Sequence, residues 1–215
     1  MGKIKSFLDS IKGKKDFDTA ALALLTASAV LRKKNSLREI LSVLKERQFS
    51  SKKIYEALLQ TYLFAGYPSA LISLSVFSEY FSDKKEITEE WDIRKFKARG
   101  ERNCRKIYGN KFQKLVNNIG SYSPELSEWL VTEGYGKVFG RKGLSMRERE
   151  VCNIAVLTAL KFESQLYSHI NGGQRLGLTW NEIEKVIEVM ALLNRKDCVE
   201  TGKRVLEMVM GRKAR

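Results

Sequence analysis

One residue of this sequence is of the type suited to proton transfer at neutral pH: His169, its single histidine. An imidazole gives or takes a proton at physiological pH more readily than any other unperturbed side chain. Acid–base chemistry, where present, therefore points first to position 169. The residue lies in Ser168-His169-Ile170-Asn171-Gly172-Gly173, downstream of the charged run Arg147-Glu148-Arg149-Glu150. Thiol chemistry has less to build on. Cys104, Cys152 and Cys198 are widely spaced and contain no C-x-x-C pair, so local sequence forms neither a zinc knuckle nor a thioredoxin-type dithiol. Cys152 falls inside an apolar run, where a thiol packs and stays inert. No metal and no cofactor is expected.

The elements that must carry these residues read as helices. Only Pro68 and Pro124 occur, and Asn-Gly or Asp-Gly hairpin pairs are absent, against a strand-rich fold. A basic amphipathic lead (1–15) precedes helical segments near 18–31, 36–47, 51–65 and 68–81. Ser82–Glu90 is a charged connector, and Trp91–Tyr108 a basic helix. Ser123-Pro124-Glu125 is a strong helix start. Ser145-Met146-Arg147-Glu148 and Thr179-Trp180-Asn181-Glu182 match capping boxes, the second after Gly177, a left-handed helix terminator. They open segments near 146–161, 163–176, 180–193 and 196–210. An offset of 129 residues lays Arg47–Ser50 on Leu176–Thr179 and Ile54 on Ile183 without gaps, with apolar positions mostly on apolar ones. Two tandem related helical units are the expectation: 1–82, a charged connector 83–97, and a second domain 98–215.

The run Gly143–Glu150, the Leu157–Leu160 stretch, His169 with its Gly172-Gly173, and Gly177–Ile183 together resemble the central motif of the carboxymuconolactone decarboxylase family. That family includes the alkylhydroperoxidase AhpD-like proteins. Tyr135–Gly140 resembles the approach to the motif, and the likeness spans roughly 98–210. The first unit has the family's later G-x-P corner as Gly66-Tyr67-Pro68, but Ile40 stands where its histidine would fall. The resemblance implies an all-α, AhpD-like helical bundle that assembles as a homo-oligomer, a trimer or hexamer.

It also implies roles. In the redox-active branch a C-x-x-C precedes the histidine, and Phe162 and Gln165 occupy those positions here, while the glutamate of the preceding helix remains as Glu150. A disulfide relay needs two thiols within bonding distance, so peroxidase activity of that type is expected to be absent. The decarboxylase branch needs no thiol. Its substrate is a small lactone bearing carboxylates, and loss of CO2 leaves carbanion-like charge that a nearby proton donor quenches. His169 is then the proton-transfer residue, and Glu150 fixes its tautomer or acts as a base. Arg147, Arg149 and Gln165 are the candidate substrate-binding residues, the arginines gripping a carboxylate through forked hydrogen bonds. In a hairpin with parallel axes, Glu150 and His169 lie about 18 and 10 Å from the turn, an offset of about 8 Å that a water or substrate would bridge.

Composition frames these readings. Apolar residues are 43% and charged residues 30% of the chain, which fits a soluble helical protein. The charge of +14, from 39 basic and 25 acidic residues, attracts nucleic acid, anionic lipid or acidic metabolites without choosing among them. Its densest run is Arg94, Lys95, Lys97, Arg99, Arg102, Arg105 and Lys106, a solvated helix face in the plainest reading. Ala57–Ser78 is uncharged and long enough to span a bilayer, but Gly66-Tyr67-Pro68 breaks it, so two buried helices and a corner are expected. Free thiols and no cleavable leader suggest the cytoplasm; the Met1–Ser6 myristoylation pattern is short. The leading expectation is a cofactor-independent, decarboxylase-like lyase acting on a small acidic metabolite. Two others stand beside it: a non-catalytic oligomeric binding protein of the same fold, and a basic nucleic-acid or anionic-surface binder.

Overall fold

The computed structural model describes residues 2–13, 16–82 and 91–213. Residues 83–90 of the expected connector, Met1 of the myristoylation pattern, and Lys14, Lys15 and Arg215 of the basic residues lie outside the described residues. The described part is helical and contains no strand. It divides into two compact units, 1–82 with 143–215, and 83–142.

The first unit is built on two helices that are buried around most of their circumference. These are α2 (Phe17–Val30), buried from Ala20 through Val30, and α9 (Met146–Leu160), buried from Arg149 through Ala159. A helix with no solvated face must be covered on every side. Here α2 and α9 pack on each other, and the other helices cover the rest. They are α1 (Lys3–Ser10), α3 (Lys34–Glu46), α4 (Ser51–Gln60) and α5 (Tyr62–Ser78) from the first half of the chain, and α10 (Glu163–Arg175), α11 (Trp180–Glu188) and α12 (Lys196–Lys213) from the second. This corrects the expected division. Helices from 143 onward share one core with those of 1–82 instead of forming a separate domain with 98–142, because neither α2 nor α9 can be solvated on the face it gives the other.

The boundaries repeat at the offset seen in sequence. Helices start at Phe17, Lys34 and Ser51, and again at Met146, Glu163 and Trp180, each pair 129 positions apart. Left-handed residues close the first helix of each set at Arg32 (φ 55°) and Lys161 (φ 57°), and the second at Gln48 (φ 53°) and Gly177 (φ 87°). The closing hydrogen bonds also correspond. Lys33 N–H donates to Ser28 O at 2.9 Å and Phe162 N–H to Leu157 O at 3.0 Å; Phe49 to Leu44 and Leu178 to Gly173 are both 2.9 Å. Both capping boxes are formed. The uncharged stretch 57–78 breaks at Gly66 (φ 71°), as the Gly-x-Pro corner predicts, and no helix of the described residues is long and apolar enough to cross a membrane.

The second unit holds α6 (Ile93–Tyr108), a 3-10 turn (Gly109–Lys111), α7 (Phe112–Gly120), α8 (Pro124–Trp129) and a π-helical segment (Leu130–Val138). The widened π turn frees carbonyl groups, and α6 satisfies two of them: Asn103 Nδ2 donates to Tyr135 O at 2.9 Å and Arg99 Nε to Gly136 O at 2.7 Å. The backbones meet without side chains between them. A Cβ on Gly136 would sit 2.0 Å from Phe96 O, and one on Gly100 1.9 Å from Val131 O. Backbone cannot step aside, so Gly136→Ala is expected to cost about 3 kcal/mol, the upper part of the overpacking range. Amide hydrogen exchange checks this: it should accelerate across 91–142 and leave α2 and α9 unchanged.

Candidate functional site

The site forms where α9 and α10 meet, with α4 and the start of α5 closing it. Glu150 lies one turn into α9 and is 0% exposed; His169 is mid-way along α10 and 8% exposed. His169 Nδ1 and Glu150 Oε2 are 2.8 Å apart, a direct hydrogen bond. The two side chains therefore span the offset of about 8 Å expected along the helix axes themselves, and neither water nor substrate is needed to bridge them. The edge of Phe64 packs on the imidazole at 6.1 Å between ring centroids, in a T-shaped arrangement. Glu150 Oε1 is buried and has no hydrogen-bond partner among the described residues.

A chain of buried polar groups runs away from the pair. Asn153 Nδ2 lies 3.4 Å from His169 Nδ1. Asn153 Oδ1 accepts from Gln60 Nε2 at 3.0 Å, and Gln60 Oε1 accepts from Arg149 Nη1 at 2.9 Å. Arg149 Nη2 donates to Glu56 Oε2 at 2.9 Å. Glu56, Gln60, Arg149 and Asn153 are all at most 3% exposed. Glu56 and Gln60 lie one turn apart on the same face of α4, and Phe64 follows in the first turn of α5. All three come from the half of the chain that lacks the histidine.

The five sequence candidates thus separate. Glu150 and His169 come together, and Arg149 joins them through Gln60 and Asn153. Its guanidinium is 0% exposed and engaged by Glu56, so the carboxylate it grips is the chain's own. Arg147 lies apart, paired with Glu182 at the start of α11. Burial raises the Glu182 carboxyl, but the Thr179 cap and the Arg147 guanidinium outweigh it and hold the group below its usual value. Gln165 is exposed on α10, as is Phe162 just before it. Sequence reading missed Glu56, Gln60 and Asn153. The signal was there in Asn153 and Gln60, amides inside otherwise apolar runs, since a buried amide needs a partner. Gly173, in the same helix as His169, marks close packing: a Cβ there would sit 2.8 Å from Leu178 Cδ1.

The equivalent place in the first half is apolar. Subtracting 129 from His169, Glu150, Asn153 and Arg149 gives Ile40, Ala21, Leu24 and Ala20, all buried.

Thiols contribute nothing to this chemistry. Cys104, Cys152 and Cys198 are buried and free. Burial pushes Cys152 and Cys104 up to about 12 and also raises Cys198. Iodoacetamide at pH 8 is expected to leave all three unmodified in the folded protein and to alkylate all three in denaturant, read by intact mass. Unfolded thiols ionise near 8.5 while folded Cys104 and Cys152 keep their protons. The contribution of these two to stability is therefore complete below about 8.5 and lost as pH rises through about 12.

Residues 124–207 match the model of the Carboxymuconolactone decarboxylase family. No curated protein matches the chain.

Proposed function

Starting from a segment of carboxymuconolactone decarboxylase type at 124–207, we propose that this chain is a cofactor-independent lyase that removes CO2 from a small acidic metabolite, with His169 transferring the proton. One observation carries the reading: the single imidazole is buried and bonded at 2.8 Å to a fully buried carboxylate. In the reaction the bond between the carboxylate and its carbon breaks, the electron pair stays on carbon, CO2 leaves, and the proton comes from His169 Nε2, the ring nitrogen turned from Glu150. Burial of the pair, with Phe64 packed on the imidazole, strengthens the electrostatic grip on developing charge. Phe162 and Gln165, with three suppressed thiols, fit poorly with disulfide chemistry. The two halves of the first unit are copies of one helical repeat in this reading, and only the second keeps the acid–base pair. Homo-oligomeric assembly and a cytoplasmic location belong to the same proposal.

The test is CO2 release from carboxymuconolactone and a panel of small lactone carboxylates. Release that His169→Ala abolishes is expected; no release from any of them overturns the reading. A second reading, a binding protein without chemistry, draws on Arg149, which Glu56 already engages. It predicts ligand-dependent melting that His169→Ala leaves unchanged.

A further inference from the structure

The buried amides beside the site have only one orientation that satisfies them. Arg149 is a donor without acceptor capacity, so the Gln60 atom 2.9 Å from its Nη1 must be the carbonyl Oε1. The other end of that amide, Nε2, lies 3.2 Å from the Arg149 carbonyl, an acceptor only, which fixes the orientation a second time. Gln60 Nε2 therefore donates to Asn153, whose facing atom must be Oδ1, at 3.0 Å. That leaves the Asn153 NH2 group towards the imidazole, 3.4 Å from Nδ1. From Arg149 to His169 every bond points the same way.

We propose that Arg149, Gln60 and Asn153 act as positioning residues that place the imidazole proton of His169 on Nε2. An NH2 group facing Nδ1 disfavours a proton there, because two donors would oppose each other. Nδ1 is then an acceptor, and the Glu150 carboxyl is the donor across the 2.8 Å contact. The state of Glu150 agrees. An ionised carboxylate at 0% exposure needs several donors, yet Oε1 has none among the described residues, as suits the carbonyl of a neutral acid. The proton needed for catalysis thus waits on Nε2 before any ligand arrives. As Nε2–H passes to the substrate carbon, the Glu150 proton moves to Nδ1, leaving a neutral imidazole and a carboxylate. Solvent restores the second proton. Gln60, the link from the half of the chain that has no histidine, thereby helps to set the tautomer of the other half's.

This rests on the proposed function for its use in catalysis, but its test needs no substrate. Since His169 is the sole histidine, 15N-histidine labelling gives one imidazole, whose two nitrogen shifts report the tautomer at a pH where the ring is neutral. The wild-type protein is expected to show the Nε2–H form. Asn153→Asp and Gln60→Glu keep shape while reversing the chain: each turns an acceptor oxygen towards Nδ1, directly or by flipping Asn153. Both should move the ring to Nδ1–H, a change that packing alone would not cause. A wild-type Nδ1–H ring overturns the proposal, as does an unchanged tautomer in either folded variant; the wild-type spectrum decides alone should a variant fail to fold. Loss of the decarboxylation reading with the Nε2–H ring intact would remove the reaction and leave the relay standing.

Discussion

Arg149→Met is expected to lower the stability of the protein by about 3–5 kcal/mol, the cost of leaving a buried ion without its partner. Glu56 is 2% exposed and bonded to Arg149 Nη2 at 2.9 Å. The substitution also removes the donor to Gln60 Oε1, so a second buried acceptor loses its bond. Changing both partners is different. Arg149→Met with Glu56→Leu removes both charges together and should recover most of the loss, because paired desolvation is avoided. Chemical denaturation of the two single variants and the double variant closes the cycle. If Arg149→Met costs under about 1 kcal/mol, the ion pair is solvated and its assigned burial is wrong.

The second large effect is on chemistry. On the substrate that the CO2 assay identifies, His169→Ala should lower kcat by about 10²–10⁴, the usual contribution of a positioned proton donor, with KM nearly unchanged. Glu150→Gln keeps the shape but cannot hand a proton to Nδ1, so it should fall in the same range. The double variant should be little worse than either alone, because groups acting as one unit are not additive. Full activity in His169→Ala would end the acid–base account. Melting curves recorded alongside separate this from unfolding, since Glu150 then remains buried without its 2.8 Å partner.

Much of the fold was legible because it rests on local rules. The capping boxes at Ser145 and Thr179, the break at Gly66 and the left-handed Gly177 are short-range chemistry, and they sit where the sequence places them. The pairing of α2 with α9 was not legible, since the apolar run in each says that it is covered but not by what. In the site, His169 and Glu150 were found by type and spacing. Their direct contact was not, because helix crossing angles leave no mark on a one-dimensional pattern. Glu56 escaped for a further reason. A glutamate on a helix reads as solvent-facing by default, and only the arginine opposite, 93 positions away, reveals that it is interior.

Two helices that meet at the centre of the first unit, α2 and α9, are encoded separately along one chain. A pair made from two identical subunits must repeat every substitution on both sides of its axis. Joined in one polypeptide, the halves are released from that mirror rule. Arg149 can take a counterion from the other half of the chain while Ala20, at its matching position, stays small and apolar. An assembly of identical repeats would have to bury that guanidinium twice, with all its attendant dehydration.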